Sequence, residues 1–224
     1  MTSVVKAHGL FKEENGYFIV EPSSEPLIEL SRLDPRDQVR VKLPWHELNR
    51  VLGGGIVPGS VVLLAGEPGV GKSTLLLQIA QLVSSAGNKV LYVSGEESPH
   101  QIKLRSQRLN FDGDGIFLLS ETDVDLVLER LEEFQPDLAV IDSIQTLFSR
   151  DGSSGPGSVA QVREAGLQLI RWAKARRVPI FIAGHMTKDG SLAGPRVLEH
   201  MVDVVTYLES QDLTSFRILR NGKN

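Results

Sequence analysis

The sequence predicts an α/β domain with a mostly parallel central sheet flanked by helices. Two segments, 60–65 and 138–141, are apolar almost throughout, as is typical of strands that are covered on both faces of a parallel sheet. A glycine-rich loop and then an amphipathic helix follow the first segment. Strands that alternate with helices in this way imply right-handed crossovers between parallel strands. We therefore expect residues 45–224 to form one core.

The other elements of this core are expected in regular alternation. A helix over about 73–85 carries a wide apolar stripe and ends before Gly87. Residues 98–101, Ser-Pro-His-Gln, have the form of a capping box with proline at the first helical position, so a helix begins there. Further strands are expected at 89–93, 116–119, 179–183, 202–208 and 215–219, and further helices at 123–134 and from 158 onward. A short turn joins the last two strands, which predicts an antiparallel pair at the C-terminal end.

Residues 1–44 differ from the core. Short segments at 17–20 and 39–43 could form strands, and a stretch rich in proline, serine and glutamate separates them. We expect a small N-terminal appendage or arm, and its residues indicate no chemistry.

Composition excludes several classes of protein. The chain has 224 residues, of which 41% are apolar and 23% charged, so it can bury a full core. It contains no cysteine, which excludes disulfides, thiol nucleophiles and cysteine zinc sites within these residues. No apolar run approaches the roughly 18 residues of a membrane span, and the first residues do not resemble a signal peptide. A soluble, cytoplasmic protein without a membrane partner is expected.

The charge balance limits how the chain could bind nucleic acid. Its formal net charge is −4, so the surface as a whole would not attract a polyanion. Any such binding would need basic groups that are concentrated locally or contributed by several subunits.

Residues 66–73 read Gly-Glu-Pro-Gly-Val-Gly-Lys-Ser, which matches a P-loop. Its glycines allow several backbone N–H groups to converge on one anion at the start of a helix. Lys72 would reach the β- and γ-phosphates, and Ser73 would bind Mg²⁺. A chance glycine-rich turn is disfavoured, because a buried strand precedes the motif and an amphipathic helix follows it. ATP and Mg²⁺ are therefore the expected cofactors, and the nucleotide-binding residues are Gly66, Glu67, Pro68, Gly69, Val70, Gly71, Lys72, Ser73 and Thr74.

Carboxylates are expected at the same edge of the sheet as this loop. Asp142 ends the apolar run 138–141, where a Walker-B aspartate would hold Mg²⁺ through its water shell; the alternative is a turn cap. Glu96 and Glu97 follow the strand at 89–93. We favour Glu96 as the group that orients the attacking water over a residue of a solvated turn. For Glu97 a catalytic role and a place in the first turn of a helix are equally supported.

Two further side chains could contact the nucleotide. His185 follows the apolar strand at 179–183, which we expect beside the Walker-B strand, and there it would touch the γ-phosphate and report its presence to the next loop. The alternative is a histidine that caps the strand. Arg105 lies on the helix after Glu97 and could stack on adenine, although an ordinary surface arginine is the favoured interpretation.

The loops at 151–157 and 186–196 leave the same edge of the sheet. The first is rich in glycine, and the second contains Lys188 and Arg196. Mobile loops with a few cations could bind a nucleic acid backbone, and they could equally be solvated connections. The residues alone support nucleic-acid binding and a solvated connection equally.

Residues 52–60 read Leu-Gly-Gly-Gly-Ile-Val-Pro-Gly-Ser, 92–98 read Tyr-Val-Ser-Gly-Glu-Glu-Ser, and 193–203 read Ala-Gly-Pro-Arg-Val-Leu-Glu-His-Met-Val-Asp. Together with the P-loop, these three segments resemble the ATPase core of the bacterial RadA/Sms family, which belongs to the RecA-like ATPases. The last segment is much more specific than a P-loop, and the resemblance covers about 45–224.

This resemblance implies a RecA-like P-loop ATPase that acts in recombination and DNA repair. It implies a ring, expected to be a hexamer, that hydrolyses ATP while it moves on single-stranded DNA and helps branch migration. A recombinase is a further possible partner. The loops that carry Lys188 and Arg196 would then face DNA in the channel of the ring, where six copies of each cation would offset the acidic exterior.

The chain departs from the family pattern in three respects. The family has a four-cysteine zinc finger before the core and a Lon-protease-like domain after it, and neither is found in these residues. Its Lys-Asn-Arg-Phe-Gly motif begins at Lys223 and stops after Asn224. In the family, the basic residues of that motif are thought to reach the nucleotide of a neighbouring subunit, so Lys223 is expected to act in trans. We expect a core fragment that binds ATP well and hydrolyses it slowly.

Two other functions compete with a DNA-dependent ATPase. One is a KaiC-like regulatory ATPase that also carries paired glutamates after this strand and works through protein partners. The other is a nonenzymatic assembly module that uses nucleotide only to order its subunit contacts. Binding of single-stranded DNA distinguishes a DNA-dependent ATPase from these two alternatives.

Overall fold

The computed structural model of the chain divides it into two compact units, Met1–Gln38 and Val39–Asn224. The described residues are 11–14, 17–20, 29–32, 40–150, 155, 157–186, 194–211 and 216–224. In the first unit, β1 (Phe11–Glu14) pairs in antiparallel fashion with β2 (Tyr17–Val20). A 3-10 helix follows at Leu30–Arg32.

The second unit alternates strands with helices. In chain order it contains α1 (His46–Val51), β3 (Val61–Gly66), α2 (Lys72–Ser84), β4 (Val90–Ser94), α3 (Pro99–Arg108), β5 (Ile116–Leu119), α4 (Val124–Phe134), β6 (Leu138–Asp142), a 3-10 helix at Ile144–Thr146, α5 (Val159–Arg176), β7 (Ile180–His185), α6 (Gly194–Glu199), β8 (Val204–Ser210) and β9 (Arg217–Lys223). The segment expected as a strand at 39–43 forms, in its described part, a single bridge between Val41 and Ile56.

Seven strands form one sheet in the order β5-β4-β6-β7-β3-β8-β9. All neighbouring strands are parallel except β8 and β9, which are antiparallel. The predicted fold class, a mostly parallel sheet with antiparallel strands at its C-terminal end, is confirmed.

Both faces of the sheet are covered, which explains the continuous apolar runs in the sequence. Every residue of β3, β4 and β6 is buried. Alternate residues contribute to two hydrophobic clusters. One cluster includes residues of α1, α2 and α3, and the other includes residues of α4, α5 and α6. Strands that bury both faces in this way read as unbroken apolar segments.

Local signals fix the ends of the helices beside the sheet. Ser98 accepts a hydrogen bond from the backbone N–H of Gln101, and the Gln101 side chain accepts one from the backbone N–H of Ser98, so the expected capping box starts α3. Asp123 caps α4, and Ser158 caps α5. Among the helices of the described residues, none is long and apolar enough to cross a membrane.

The strand order determines which side chains can meet. β7 lies between β3, which leads into the P-loop, and β6, which ends at Asp142. Because these strands are parallel, their carboxyl ends lie at one edge of the sheet, where ligands of open α/β folds bind.

Candidate nucleotide-binding site

The P-loop connects β3 to α2 through a turn that requires glycine at three positions. Gly69 and Gly71 have φ angles of 77° and 107°, in the left-handed region, and no heavy atom lies within 4 Å of where a Cβ would stand at either residue. Gly66 is needed for a different reason, because its Cβ would lie 2.5 Å from the carbonyl oxygen of Leu208 in β8. The loop thus rests against β8 at its start and is open where an anion would bind.

Lys72 is folded into this loop. Its Nζ donates hydrogen bonds to the carbonyl oxygens of Gly66 and Glu67, at 2.9 Å in each case, and the residue is only 4% exposed. Burial lowers the pKa of Lys72, while the carboxylates of Asp142 and Glu96 act in the opposite direction.

Asp142 ends β6 as a buried carboxylate that is held by a tyrosine. The hydroxyl of Tyr92 donates a hydrogen bond to Oδ2 of Asp142 at 2.7 Å. Burial, and then the negative charge of Asp142, raise the pKa of Tyr92 well above its usual value, so the phenol stays neutral and remains a donor. The sequence analysis did not identify Tyr92, because it reads as one more core residue of β4.

Glu96 lies between the ends of two other strands. Its Oε1 accepts a hydrogen bond from Oγ of Ser143 at 2.8 Å and lies 3.2 Å from Nε2 of His185. His185 ends β7 and pairs in register with Gly66 of β3, while Ser143 directly follows β6. The structure therefore brings Glu96, His185 and the residue after Asp142 together, and Ser143 is a member that the sequence analysis missed. The peptide bond between Asp142 and Ser143 is cis.

The surroundings of His185 offer further polar atoms. Nε2 of the Gln145 side chain donates to the carbonyl oxygen of His185 at 3.3 Å. Oε1 of Gln145 and Nδ1 of His185 are buried and have no hydrogen-bond partner among the described residues. Gln145 belongs to the 3-10 helix after β6, so this element adds a second polar side chain beside His185.

Glu97 and Arg105 pair with each other instead of joining this group. Nη2 of Arg105 contacts Oε1 of Glu97, and their side chains are 18% and 29% exposed. The backbone N–H of Glu97 donates to Oγ of Ser94 at 3.0 Å, which fixes the turn between β4 and α3. The catalytic role of Glu97 and the contact of Arg105 with adenine stay predictions.

The remaining predicted site residues lie as follows. Ser73 and Thr74 are in the first turn of α2, and Arg196 is exposed on α6. Nζ of Lys223 donates to the carbonyl oxygens of Glu199 and Val202 at 3.2 and 2.7 Å, so it binds within its own chain beside the end of α6. Lys188 and most of the two predicted DNA loops lie outside the described residues.

One contact with the P-loop comes from the C-terminal strand pair. Nε of Arg217, the first residue of β9, donates to the carbonyl oxygen of Val70 at 3.1 Å. The sequence analysis missed this contact, since nothing in the local pattern connects β9 to a loop so far away in the chain.

Comparisons with known proteins agree with the resemblance. A family model described as AAA domain matches residues 27–191. The DNA repair protein RadA of Bacillus subtilis is 51% identical over 195 residues, which cover 87% of this chain and 43% of that protein. The DNA repair protein RadA of Streptococcus pneumoniae is 54% identical over 185 residues, with coverages of 83% and 44%. The chain thus spans less than half the length of these relatives.

A solved structure supports the fold. The crystal structure of a KaiC-like protein from the archaeon Pyrococcus horikoshii superposes with a TM-score of 0.67 at 21% identity, covering 83% of this chain and 88% of that one. At this identity the likeness concerns the fold alone. The family model and the sequence relatives confirm the predicted RadA resemblance and, at the level of the family, the prediction of a P-loop ATPase.

Proposed function

We propose, from the premise that this chain belongs to the AAA domain family, that it is the ATP-hydrolysing core of a DNA repair ATPase of the RadA kind. The observation that carries the proposal is the position of Glu96, which is hydrogen-bonded to Ser143 at the end of β6 and to His185 at the end of β7. The carboxylate of Glu96 thus lies at the edge of the sheet where Asp142 ends β6, and the charges of both carboxylates act on the buried Lys72. Residues 45–224 would form the ATPase core and 1–44 an appendage.

The residues present fit Mg-ATP. The P-loop is open at Gly69 and Gly71, and the charge of the Lys72 ammonium complements the phosphates. Ser73 and Asp142 offer the hydroxyl and the carboxylate that Mg²⁺ prefers in such sites, alongside the water molecules that it keeps. When bound, Mg²⁺ would neutralise charge on the phosphates.

Each residue of the proposed site then has one role in hydrolysis. Lys72 stabilises negative charge on the transferred phosphoryl group, and the backbone N–H groups of the loop position it. Ser143 and His185 hold Oε1 of Glu96 in place, so that Glu96 orients the attacking water and accepts its proton at Oε2. His185 reports the state of the phosphate to the segment 186–196, which follows it directly in the chain.

We infer in addition that the chain acts on single-stranded DNA as part of a ring. The names of the relatives, which are DNA repair proteins, support this. Arg196 is an exposed cation on α6, the next described helix along the chain after His185. Lys188 would contribute from the same segment. Translocation, branch migration, a hexameric state, a recombinase partner and the action of Lys223 on a neighbouring subunit are the finer parts of this proposal.

Measuring DNA binding tests the proposal. The chain should bind fluorescent single-stranded DNA in the presence of ATP, with an affinity that falls steeply as salt rises. Arg196→Ala should weaken binding and lower the slope of log affinity against log salt by roughly 0.7 for each lost contact with a single strand. Arg108→Ala is the matched control, because Arg108 is exposed as the last residue of α3, at the opposite end of that helix from the turn that carries Glu96.

The outcome also separates the alternatives. ATP turnover without any DNA binding at low salt would favour a regulatory ATPase that works through protein partners. Nucleotide binding with neither turnover nor DNA binding would favour the assembly module. Equal loss of binding in the Arg196→Ala and Arg108→Ala proteins would remove Arg196 from the DNA-binding surface.

A further inference from the structure

Tyr92 stands out among the buried side chains near the proposed nucleotide site. It is 1% exposed and lies in the hydrophobic cluster that includes residues of α2 and α3. A phenol hydroxyl buried in such a cluster needs a hydrogen-bond partner, and any polar group within reach could serve. The partner of Tyr92 is Oδ2 of Asp142, the carboxylate that we assign to Mg²⁺.

The register of the sheet explains how a core residue reaches the site. β4 and β6 are parallel neighbours, with Tyr92 opposite Val140 and Ser94 opposite Asp142. Val140 and Asp142 are two positions apart in β6, so their side chains share one face of the sheet. Tyr92 lies opposite Val140 and belongs to the same face, on which α2 packs. The length of the tyrosine ring bridges the two rows of residues, and its hydroxyl meets the carboxylate at the edge of the sheet.

A carboxylate at the end of a strand has a broad terminal torsion, so its plane is not set by the backbone alone. Mg²⁺ requires nearly ideal octahedral geometry and keeps much of its water shell, so the direction of each acceptor oxygen matters. Partners that orient metal-binding side chains typically change metal affinity or activity when they are removed. The hydrogen bond from Tyr92 fixes one of the two oxygens and therefore the direction of the other.

We propose that Tyr92 is a positioning residue for Mg²⁺, because its hydroxyl holds Oδ2 of Asp142 so that Oδ1 faces the water shell of the ion. This inference rests on the proposed function, in which Asp142 serves Mg-ATP. It goes beyond that function by assigning a task at the metal to a side chain that touches neither nucleotide nor ion. A merely structural tyrosine would use Asp142 only to satisfy its own hydroxyl.

Tyr92→Phe separates these two roles in the full chain. Phenylalanine keeps the ring in the core and removes only the donor. A fluorescent ATP analogue is titrated with Mg²⁺, and its binding is measured again in the presence of a chelator. We expect the half-saturating Mg²⁺ concentration to rise roughly 10-fold, the lower end of the effect of removing such a partner. Metal-free binding of the analogue should not change.

Tyr207→Phe provides the matched control. The hydroxyl of Tyr207 also donates to a carboxylate, Oε1 of Glu199, at 2.9 Å. Tyr207 lies on β8 and packs against the hydrophobic cluster on the face of the sheet opposite to that of Tyr92. This variant should leave the half-saturating Mg²⁺ concentration as it is in the wild type. A similar rise in both variants would show a general effect on stability and would overturn the proposal.

A double-mutant cycle with Asp142→Asn identifies the route of the effect. If Tyr92 acts through Asp142, then Tyr92→Phe should change nothing further in the Asp142→Asn background. An undiminished effect there, a change of less than twofold in the single variant, or a Tyr92→Phe chain that fails to fold would each overturn the proposal. Absence of Mg²⁺-dependent binding in the wild type would refute the proposed function and this inference with it.

Discussion

Gly95 occupies a point of close contact immediately before Glu96, and its replacement by alanine tests the packing of the site. A Cβ at Gly95 would lie 2.6 Å from Cβ of Thr146, closer still to its hydroxyl, and 3.0 Å from Cγ2 of Thr122. Thr146 cannot yield freely, because its hydroxyl donates to the carbonyl oxygen of Ser143 at 2.7 Å. Gly95→Ala must therefore move either the 3-10 helix after β6 or the turn that carries Glu96.

The magnitude follows from these contacts. Overpacking typically costs about 1–3 kcal/mol. Loss of the bond from Thr146 to Ser143 adds about 1 kcal/mol. Alanine also restricts the unfolded chain, which returns about 0.4–1 kcal/mol. The net loss of about 1–3.5 kcal/mol corresponds to a melting temperature lower by roughly 2–14 °C for a chain of this size. Turnover should fall by roughly 100-fold, since a displacement of about 1 Å can have that effect.

Calorimetry and steady-state ATP hydrolysis measure the two effects. Gly87→Ala is the control: its φ of 86° strains an alanine, but no heavy atom lies within 4 Å of the new Cβ, so stability should fall and turnover should persist. Thr146→Ala in the Gly95→Ala background removes the nearest atom and should restore part of the lost stability. Wild-type stability and turnover in Gly95→Ala, or strict additivity of the two substitutions, would refute this reasoning.

Four further outcomes are expected. Lys72→Ala should abolish binding of a fluorescent ATP analogue, and undiminished binding would contradict its role. Glu96→Gln should retain binding and lower turnover by roughly 10²–10⁴-fold, whereas normal hydrolysis would remove Glu96 from catalysis. Glu97→Gln should lower the free energy of unfolding by about 1 kcal/mol, because it weakens the partly exposed pair with Arg105. Its turnover of ATP should persist. A loss of turnover equal to that in Glu96→Gln would make Glu97 catalytic. The backbone N–H groups of Asp123 and Thr122 lower the pKa of Glu121 from its usual 4.5. The ionised Glu121 therefore stabilises the fold above about pH 4.5, and this stabilisation is lost as pH falls through the lowered pKa. The stability of Glu121→Gln, measured against pH, should lack this loss.

The sequence predicted the elements that depend on local chemistry. The P-loop could be identified because its glycines serve a turn that few other residues allow, and a buried strand and a helix flank it. The capping box at Ser98 was equally local, and the structure contains it. The position of Asp142 at the sheet edge followed from the apolar run before it, because any residue that ends a strand of a parallel sheet lies at that edge.

Contacts between segments that are distant in the chain could not be predicted in this way. Tyr92 and Asp142 are 50 positions apart, and Glu96 and His185 are 89 positions apart. They meet because β6 lies between β4 and β7, and the sheet order is decided by how whole helices pack on it. The pairing of Glu97 with Arg105 was within reach of the sequence, because a helix that begins at Pro99 carries Arg105 on its second turn.

The place of β7 in the sheet bears on how phosphate and DNA could be coupled. The P-loop follows β3, and Asp142 ends β6, so a nucleotide held by both must lie across the end of β7 between them. His185 ends that strand, and it contacts Glu96 and is followed within a few residues by the segment that leads to α6. On the proposed function, loss of the γ-phosphate changes the surroundings of Glu96 and His185 first. Arg196 lies in α6, which is the next described element along the chain after β7.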